Sequence, residues 1–189
     1  RFKYRQLLRI GCRDILGDAD LTVTTEELSH VADVCLAAAW DWARERLERL
    51  YGAPIGADGA ATGLAVIGMG KLGGEELNFS SDIDLIFAYT EEGETDKRGL
   101  SNHEFFVRLG QRLNQALNEQ TADGFVFRVD MRLRPNGASG PLALSFDAME
   151  QYYQAHGRMW ERYALIKARC VAGDPAAGAD ILQRLRPFV

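Results

Sequence analysis

Two aspartates stand at the start of an apolar run, NFSSDIDLIF, residues 78–87. Successive side chains of a β-strand point to opposite faces, so Asp82 and Asp84 share one face and lie about 7 Å apart. Two carboxylates this close on a largely buried strand are costly, because both lose hydration and repel each other. A divalent cation is the simplest compensation, so the pattern indicates a metal site.

A third acid and a glycine-rich connection extend the pattern. The segment GFVFRVDMRLRP, residues 124–135, predicts a further strand whose polar face carries Asp130 beside Arg132 and Arg134. GKLGG, residues 70–74, directly follows the buried run LAVIGM. A glycine turn, an Asp-x-Asp pair and a lone Asp in this order are typical of a two-metal site for phosphoryl transfer.

Electrostatics explains why such a site needs these residues. Two Mg²⁺ ions about 3.5–4 Å apart stabilise the attacking and leaving oxygens around a phosphorus, and these hard cations prefer anionic oxygen ligands. We expect Asp82 and Asp84 to bridge both ions, and Asp130 to complete one of them and to accept a proton. These aspartates are the predicted catalytic and metal-binding residues.

Backbone N–H groups of glycines, hydroxyls and cationic side chains are suited to hold phosphate oxygens. The predicted nucleotide- and phosphate-binding residues are Gly70, Lys71, Gly73, Gly74, Ser80, Ser81, Arg132 and Arg134. The chain lacks the lysine-and-Ser/Thr ending of a P-loop, so Lys71 is not given the role of a P-loop lysine.

Each feature also has a structural interpretation when it is taken alone. A single Asp-x-Asp is commonly a turn or a helix cap, two adjacent glycines are commonly a turn, and alternating arginines are commonly an exposed strand face. Their combination in this order favours the functional interpretation.

Composition narrows the class of protein. The chain has 189 residues, of which 47% are hydrophobic, and a formal net charge of −5, which argues against broad binding to nucleic-acid phosphates. Its three cysteines show no zinc or disulfide spacing and fit a reducing cytoplasm. No apolar run reaches the roughly 20 residues of a membrane span, and the start lacks a secretory signal. We expect a cytoplasmic protein, and the missing initiator Met indicates a fragment.

Hydrophobic periodicity and capping signals predict the elements that position these residues. The predicted helices cover residues 2–15, 25–49 (with a capping box of Thr24 and Glu27), a stretch starting after Ser101, 146–155 and 159–171. The predicted strands are 64–69, the Asp-bearing run and 124–135, while 52–63 is expected to be a linker and 91–99 a solvated loop.

The predicted fold class is α+β, with a small mixed sheet that carries the acids. We expect an N-terminal helical segment over residues 1–58, a core over 59–145, and a C-terminal helical segment over 146–189 that packs on the core.

The motifs resemble those of a known fold and family. IGMGKLGG, SSDIDLIF and FRVDMRLRP are similar to the elements of the polymerase-β-like nucleotidyltransferase fold. GMGKLGGEELNFSSDIDLIF, GFVFRVDMRLRPNGASGPL and GRMWERYALIKAR closely resemble the glutamine synthetase adenylyltransferase family, also called the adenylyl-transferring and adenylyl-removing enzyme, and this resemblance spans essentially the whole chain.

The resemblance implies a function. That family carries two related catalytic domains. The sequence around Asp82 and Asp130 is similar to that of the first domain, which removes the adenylyl group. It implies Mg²⁺-dependent phosphorolysis of AMP from an adenylylated tyrosine of glutamine synthetase, which releases ADP. The implied partners are adenylylated glutamine synthetase, the signalling protein PII, inorganic phosphate and ADP or ATP, with no nucleic acid and no membrane.

Three other functions remain open at this point. The forward transfer of AMP from ATP to tyrosine would use the same acids. A non-catalytic module that binds a nucleotide or a partner is disfavoured because all three acids are present. A nucleic-acid polymerase is disfavoured by the negative net charge.

Overall fold

The computed structural model describes residues 1–189. Its helices are α1 (Phe2–Leu16), α2 (Leu21–Tyr51), α3 (Gly70–Gly73), α4 (Asn102–Asn118), α5 (Phe146–Ala155), α6 (Met159–Ala164) and α7 (Pro175–Leu185). Its strands are β1 (Pro54–Gly56), β2 (Leu64–Met69), β3 (Ile83–Tyr89), β4 (Gly93–Thr95), β5 (Val129–Asp130), β6 (Ala143–Ser145) and β7 (Arg169–Gly173). Short 3₁₀ turns lie at Gly137–Ser139, Leu165–Lys167 and Arg186–Phe188. None of the helices is both long and apolar enough to span a bilayer.

A five-stranded mixed sheet forms the centre of the chain. Its strands run in the order β5-β3-β2-β7, and β6 pairs with β3 on the same side as β5. The β2–β3 and β2–β7 pairs are antiparallel, whereas β5 and β6 are both parallel to β3. The predicted α+β class with a small mixed sheet and helices at both ends is confirmed.

Helices cover both faces of this sheet. On one face α2 and α4 pack against alternate residues of β2 and β3, such as Val66 and Phe87. On the other face α5 and α7 pack against the intervening residues, such as Ile67 and Ile86. Burial on both faces explains why β2 reads as the continuous apolar run LAVIGM, a predicted strand that the structure confirms. The ends of β2 and β3 are therefore held rigidly.

The starts of the two long helices show which caps the sequence identified correctly. Ser101 caps α4 as predicted, because its hydroxyl oxygen accepts a bond from the N–H of Glu104 at 3.2 Å. The capping box predicted for α2 is wrong: Asp20 is the cap and accepts a bond from the Val23 N–H at 2.9 Å. Asp is as strong a cap as Ser or Thr, so the helix begins four residues earlier and Thr24 is buried inside it.

The predicted linker and solvated loop both contain a strand. β1, from residues 52–63, pairs with β4, from residues 91–99, in a small antiparallel sheet. The buried side chain of Asn102 holds this sheet on the core by donating to the Ile55 carbonyl at 3.0 Å and the Glu91 carbonyl at 3.2 Å. The two segments were predicted to be irregular because they are rich in glycine and charged residues. The buried Asn102 amide fixes their small sheet to the core, a role that apolar side chains have elsewhere in the chain.

The long third strand predicted over residues 124–135 is wrong. Only Val129 and Asp130 pair with the sheet. The N–H groups of Val126 and Phe127 donate instead to the carbonyl of Leu117 at the end of α4, both at 3.0 Å. Because the C-terminal end of a helix offers unpaired carbonyls, it competes with the sheet for these donors.

The predicted helix over 159–171 is also wrong. The helix ends at Ala164, a 3₁₀ turn follows, and β7 pairs with the outer edge of β2. Without β7 a fully buried strand would present an unpaired edge, which is unfavourable. The helix α7 was not predicted, although Asp174 followed by Pro175 is a usual helix start. The division at residues 58 and 145 stays a prediction, and the sheet takes β7 from beyond residue 145.

A glycine packed against backbone gives a test of this architecture. A Cβ atom at Gly73 would lie 1.9 Å from the Lys167 carbonyl oxygen and 2.5 Å from that of Gly68. We expect Gly73→Ala to lower the free energy of unfolding by about 1–3 kcal/mol, because neither backbone segment can yield cheaply. Urea denaturation measures this change.

Gly11→Ala is the matched control for that variant. Gly11 lies inside α1, and a Cβ there would meet only the Phe79 ring at 3.6 Å, an ordinary contact. The alanine should raise the free energy of unfolding by about 0.5–1 kcal/mol, since glycine is a poor helix former. Equal effects of the two substitutions would contradict the close packing of the turn under β7.

Candidate active site

Pairing of β3 with β5 brings two of the predicted acids together. The register is parallel, with Ile83 opposite Val129 and Asp84 opposite Asp130. In-register residues on adjacent strands point to the same face and lie about 4.8 Å apart at the backbone. Asp82 directly precedes β3. The sequence predicted this grouping, although it assigned Asp130 to a much longer strand.

Two of the three carboxylates are neutralised by arginines. Arg128 donates from Nε to Asp82 Oδ1 at 2.5 Å and from Nη2 to the Ser80 carbonyl at 2.9 Å. Arg132 donates to Asp130 from its backbone N–H at 2.8 Å and from Nε to Oδ2 at 2.8 Å. The two arginine side chains are 56% and 80% exposed, so these pairs lie at the surface and contribute little stability.

Asp84 has no such partner. Its partial burial, followed by the negative charges of Asp130 and Asp82, raises the pKa of its carboxyl group, against a smaller opposing effect of Arg132. The pKa of Asp130 moves the other way, chiefly because Arg132 hydrogen-bonds to its carboxylate. Uncompensated negative charge therefore concentrates on Asp84, at the centre of the group.

These carboxylates suit a divalent cation by chemistry, but they are not arranged as a closed ligand set. Nowhere in the chain do three or more His, Cys, Asp or Glu side chains stand in a geometry that could hold a metal ion. At this site the reason is visible, because Asp82 and Asp130 turn towards Arg128 and Arg132. The donors are all carboxylate oxygens, which Mg²⁺ prefers, and the exposed arginines can rotate away at low cost.

The glycine turn meets Asp84 directly. Gly70 has a φ of +54°, and a Cβ there would lie 3.0 Å from Asp84 Oδ2, so only glycine lets the backbone come this close without strain. Lys71 is exposed on the same turn. The structure thus brings Gly70 to the acids, while contacts of Gly70 and Lys71 with phosphate stay predictions.

The other two glycines of the turn are explained by packing. Gly73 is buried under the Lys167 carbonyl, and a Cβ at Gly74 would lie 3.0 Å from the Lys167 side chain. Ser81 donates to Asn78 Oδ1 at 2.6 Å, in the turn before Asp82, and Ser80 is exposed beside it. Contacts of these four residues with phosphate stay predictions.

Arg134 is buried in the loop after Asp130, close enough for its charge to help lower the pKa of the Asp130 carboxyl. It is 9% exposed, and its guanidinium donates to the carbonyls of Met131 at 2.7 Å, Ala138 at 3.2 Å and Gly140 at 3.1 Å. Burial lowers its pKa. All of these contacts hold the loop after Asp130 in place, so the geometry favours a structural role, and the predicted alternation with Arg132 on one strand face is wrong.

Arg128 is the contact that the predicted site omitted. It pairs with Asp82 and also stacks over the Phe125 ring at 5.7 Å. Its signal was present in the sequence, because it precedes Asp130 by two residues and so falls on the same face of a short strand.

The chain is an α+β domain that resembles the nucleotidyltransferase type, in which the glycine turn after β2 lies against the acids at β3 and β5. Comparison with known proteins gives the family. A family model described as glutamate-ammonia ligase adenylyltransferase matches residues 1–184. The chain belongs to that family.

Named relatives agree with this assignment. The chain is 55% identical over 188 residues to the bifunctional glutamine synthetase adenylyltransferase/adenylyl-removing enzyme of Thioalkalivibrio sulfidiphilus, covering 99% of this chain and 19% of that relative. It is 58% identical over 192 residues to the proteins of the same name from Pseudomonas syringae and Pseudomonas aeruginosa, covering 100% of this chain and 20% of each. The chain thus spans about a fifth of the length of these relatives.

Replacing the central acid tests the electrostatics of the site. Because the folded-state pKa of Asp84 is raised above its ordinary value of 3.8, the ionised form opposes folding at neutral pH. We expect Asp84→Asn to raise the Tm by roughly 2–4 °C at pH 7.5 without divalent cations, and this gain to shrink towards pH 4 as wild-type Asp84 becomes protonated.

Asp123→Asn is the control for that measurement. Asp123 is an exposed carboxylate whose partner is the exposed Arg1 at 3.1 Å, so its removal should leave the Tm nearly unchanged at both pH values. A lower Tm for Asp84→Asn than for the wild type at pH 7.5 would contradict the charge repulsion inferred here.

Proposed function

We propose that this chain removes AMP from an adenylylated tyrosine of glutamine synthetase by Mg²⁺-dependent phosphorolysis. The observation that carries the proposal is the register of β3 and β5, which places Asp84 beside Asp130 and next to the glycine turn. Family membership and the relatives' names support an adenylyl-group substrate and glutamine synthetase as the target protein.

The resemblance of the sequence to the family's first domain favours removal of AMP over transfer of AMP. NFSSD around Asp82 and VDMR around Asp130 are similar to the first catalytic domain of the family, which removes AMP. The forward transfer of AMP from ATP to tyrosine is the second candidate, because the relatives' names contain both activities and the same acids would serve both.

Covalent changes in phosphorolysis balance without a further reactant. An oxygen of inorganic phosphate forms a bond to the AMP phosphorus, the bond from phosphorus to the phenolic oxygen breaks, and the phenolate takes up a proton to give tyrosine. ADP is the other product. A phenol with a pKa of about 10 is a far better leaving group than a serine hydroxyl, so the aryl ester is reactive enough for phosphate to displace it.

The chain's own residues would bind the ions and the two anions. Asp82, Asp84 and Asp130 would hold Mg²⁺, which when bound supplies positive charge to the phosphate oxygens. Arg132 is 80% exposed and already lies at Asp130, so it can turn from this carboxylate to an incoming phosphate. Lys71, which is exposed on the same turn as Gly70, and the backbone N–H groups of that turn would orient the anion.

Partners of the longer polypeptide are part of the proposal. Adenylylated glutamine synthetase, inorganic phosphate and ADP or ATP follow from the reaction, and the signalling protein PII follows from the resemblance. We propose a cytoplasmic site of action without nucleic acid, in line with the net charge of −5.

Two parallel incubations test the proposal. The chain with adenylylated glutamine synthetase, inorganic phosphate and Mg²⁺ should release ADP, measured by a coupled kinase assay. The chain with unmodified glutamine synthetase, ATP and Mg²⁺ should release no pyrophosphate. Pyrophosphate release without ADP release would instead establish the transfer reaction.

Two substitutions, one at a predicted site acid and one at a control residue, test the location of the site in the ADP-release assay. Asp130→Asn should lower the rate of ADP release by about 100-fold or more, because a ligand of the proposed Mg²⁺ ions is lost. Asp123→Asn, which changes an exposed carboxylate paired with Arg1, should retain the wild-type rate. Near-normal turnover by Asp130→Asn would refute its assignment.

A further inference from the structure

One guanidinium ties the glycine turn to the long helix α2. Arg169 begins β7, opposite Gly68 of β2. Its Nη1 donates to Asp33 Oδ2 at 2.8 Å, and its Nη2 donates to Asp33 Oδ1 at 3.2 Å and to the Leu72 carbonyl at 3.1 Å. A two-pronged contact of this kind fixes direction as well as distance.

This contact is partly buried and incompletely satisfied. The side chains of Arg169 and Asp33 are 29% and 20% exposed. Nε of Arg169 is buried without a hydrogen-bond partner, and its nearest acid, Glu75 Oε1, is 3.8 Å away. Because desolvation offsets much of the attraction in such a pair, stability alone is a weak explanation for it.

The turn that Arg169 holds is short, so a shift at one end reaches the other. Leu72 lies two residues from Gly70, the glycine that meets Asp84 Oδ2. Just beyond the turn, Glu75 has a φ of +56°, a conformation that a non-glycine residue keeps only when its surroundings impose it. Arg169 and the Lys167 backbone therefore set where the turn stands relative to Asp84.

We propose that Arg169 is a positioning residue for the phosphate of the proposed reaction. Its contact with the Leu72 carbonyl fixes the glycine turn against Asp84. Its contact with Asp33 fixes the position of that turn relative to α2. Its side-chain partners are Asp33, Leu72 and Glu75, and none of the three aspartates of the site is among them. The kinetic part of this inference rests on the proposed function, whereas the rigidity of the turn does not.

Arg169→Lys isolates the positioning contact. A lysine keeps the positive charge for Asp33 but lacks the second donor that reaches Leu72 at the same time. Hydrogen exchange of the segment 70–76 should become about tenfold faster in this variant, because the turn opens more readily. With adenylylated glutamine synthetase, the KM for inorganic phosphate should rise about tenfold while the KM for the protein substrate stays unchanged.

Arg184→Lys is the matched control. Arg184 also joins several carboxylates, Asp147 at 3.2 Å, Glu150 at 3.4 Å and Asp180 at 3.1 Å, but it lies on α7. Its substitution should leave exchange of the segment 70–76 and both KM values as in the wild type. If Arg169→Lys does not yield folded chain, Asp33→Asn, which weakens the same anchor, replaces it.

The outcomes separate the two proposals. Unchanged exchange in the segment 70–76 of Arg169→Lys overturns the positioning role whatever the activity. Equal rises in both KM values overturn it as well, because a general loss of structure would affect both substrates. If the wild type releases no ADP, the proposed function fails, and the exchange measurement alone then decides the role of Arg169.

Discussion

Repulsion among three carboxylates is the constraint on which the rest of this structure depends. The parallel register of β3 and β5 holds Asp84 beside Asp130, with Asp82 one residue outside the strand. β3 is buried on both faces and cannot bend to move Asp84 away from its neighbours. The chain offsets two of them with exposed arginines and leaves the most enclosed one without a partner.

The surrounding elements keep this group in place. Helices on both faces of the sheet fix β2 and β3, β7 completes the edge of β2, and the glycine turn closes over Asp84. The loop after Asp130 is held by the buried Arg134, which donates only to its own loop carbonyls. Rigid support on every side is what a site needs if binding of ions and phosphates is to cost little reorganisation.

The sequence predicted the parts of the fold that local pattern decides. The buried run of β2, the Asp-x-Asp segment and the cap at Ser101 follow from periodicity and capping, and they also place Asp82 and Asp84. What it missed depended on competition between distant groups. The end of α4 takes the N–H groups that would have extended β5, and the edge of β2 draws β7 out of a predicted helix.

Two arginines at or near the site show the same limit of prediction from local sequence pattern. Arg134 was predicted to face phosphate because alternate residues of a strand share a face, but the strand ends at Asp130 and Arg134 turns inwards. Arg169 ends the family-like segment GRMWERYALIKAR, but its role could not be predicted there, because its partners Asp33 and Leu72 are distant along the chain and meet it only after β7 joins the sheet.

Counting bound ions tests the central claim most directly. Mn²⁺ can replace Mg²⁺ among oxygen ligands, and electron paramagnetic resonance reports the free ion during a titration. The account predicts that the wild-type chain binds about two ions and that Asp84→Asn loses at least one of them. Absence of Mn²⁺ binding by the wild type, or the same binding in Asp84→Asn, would contradict it.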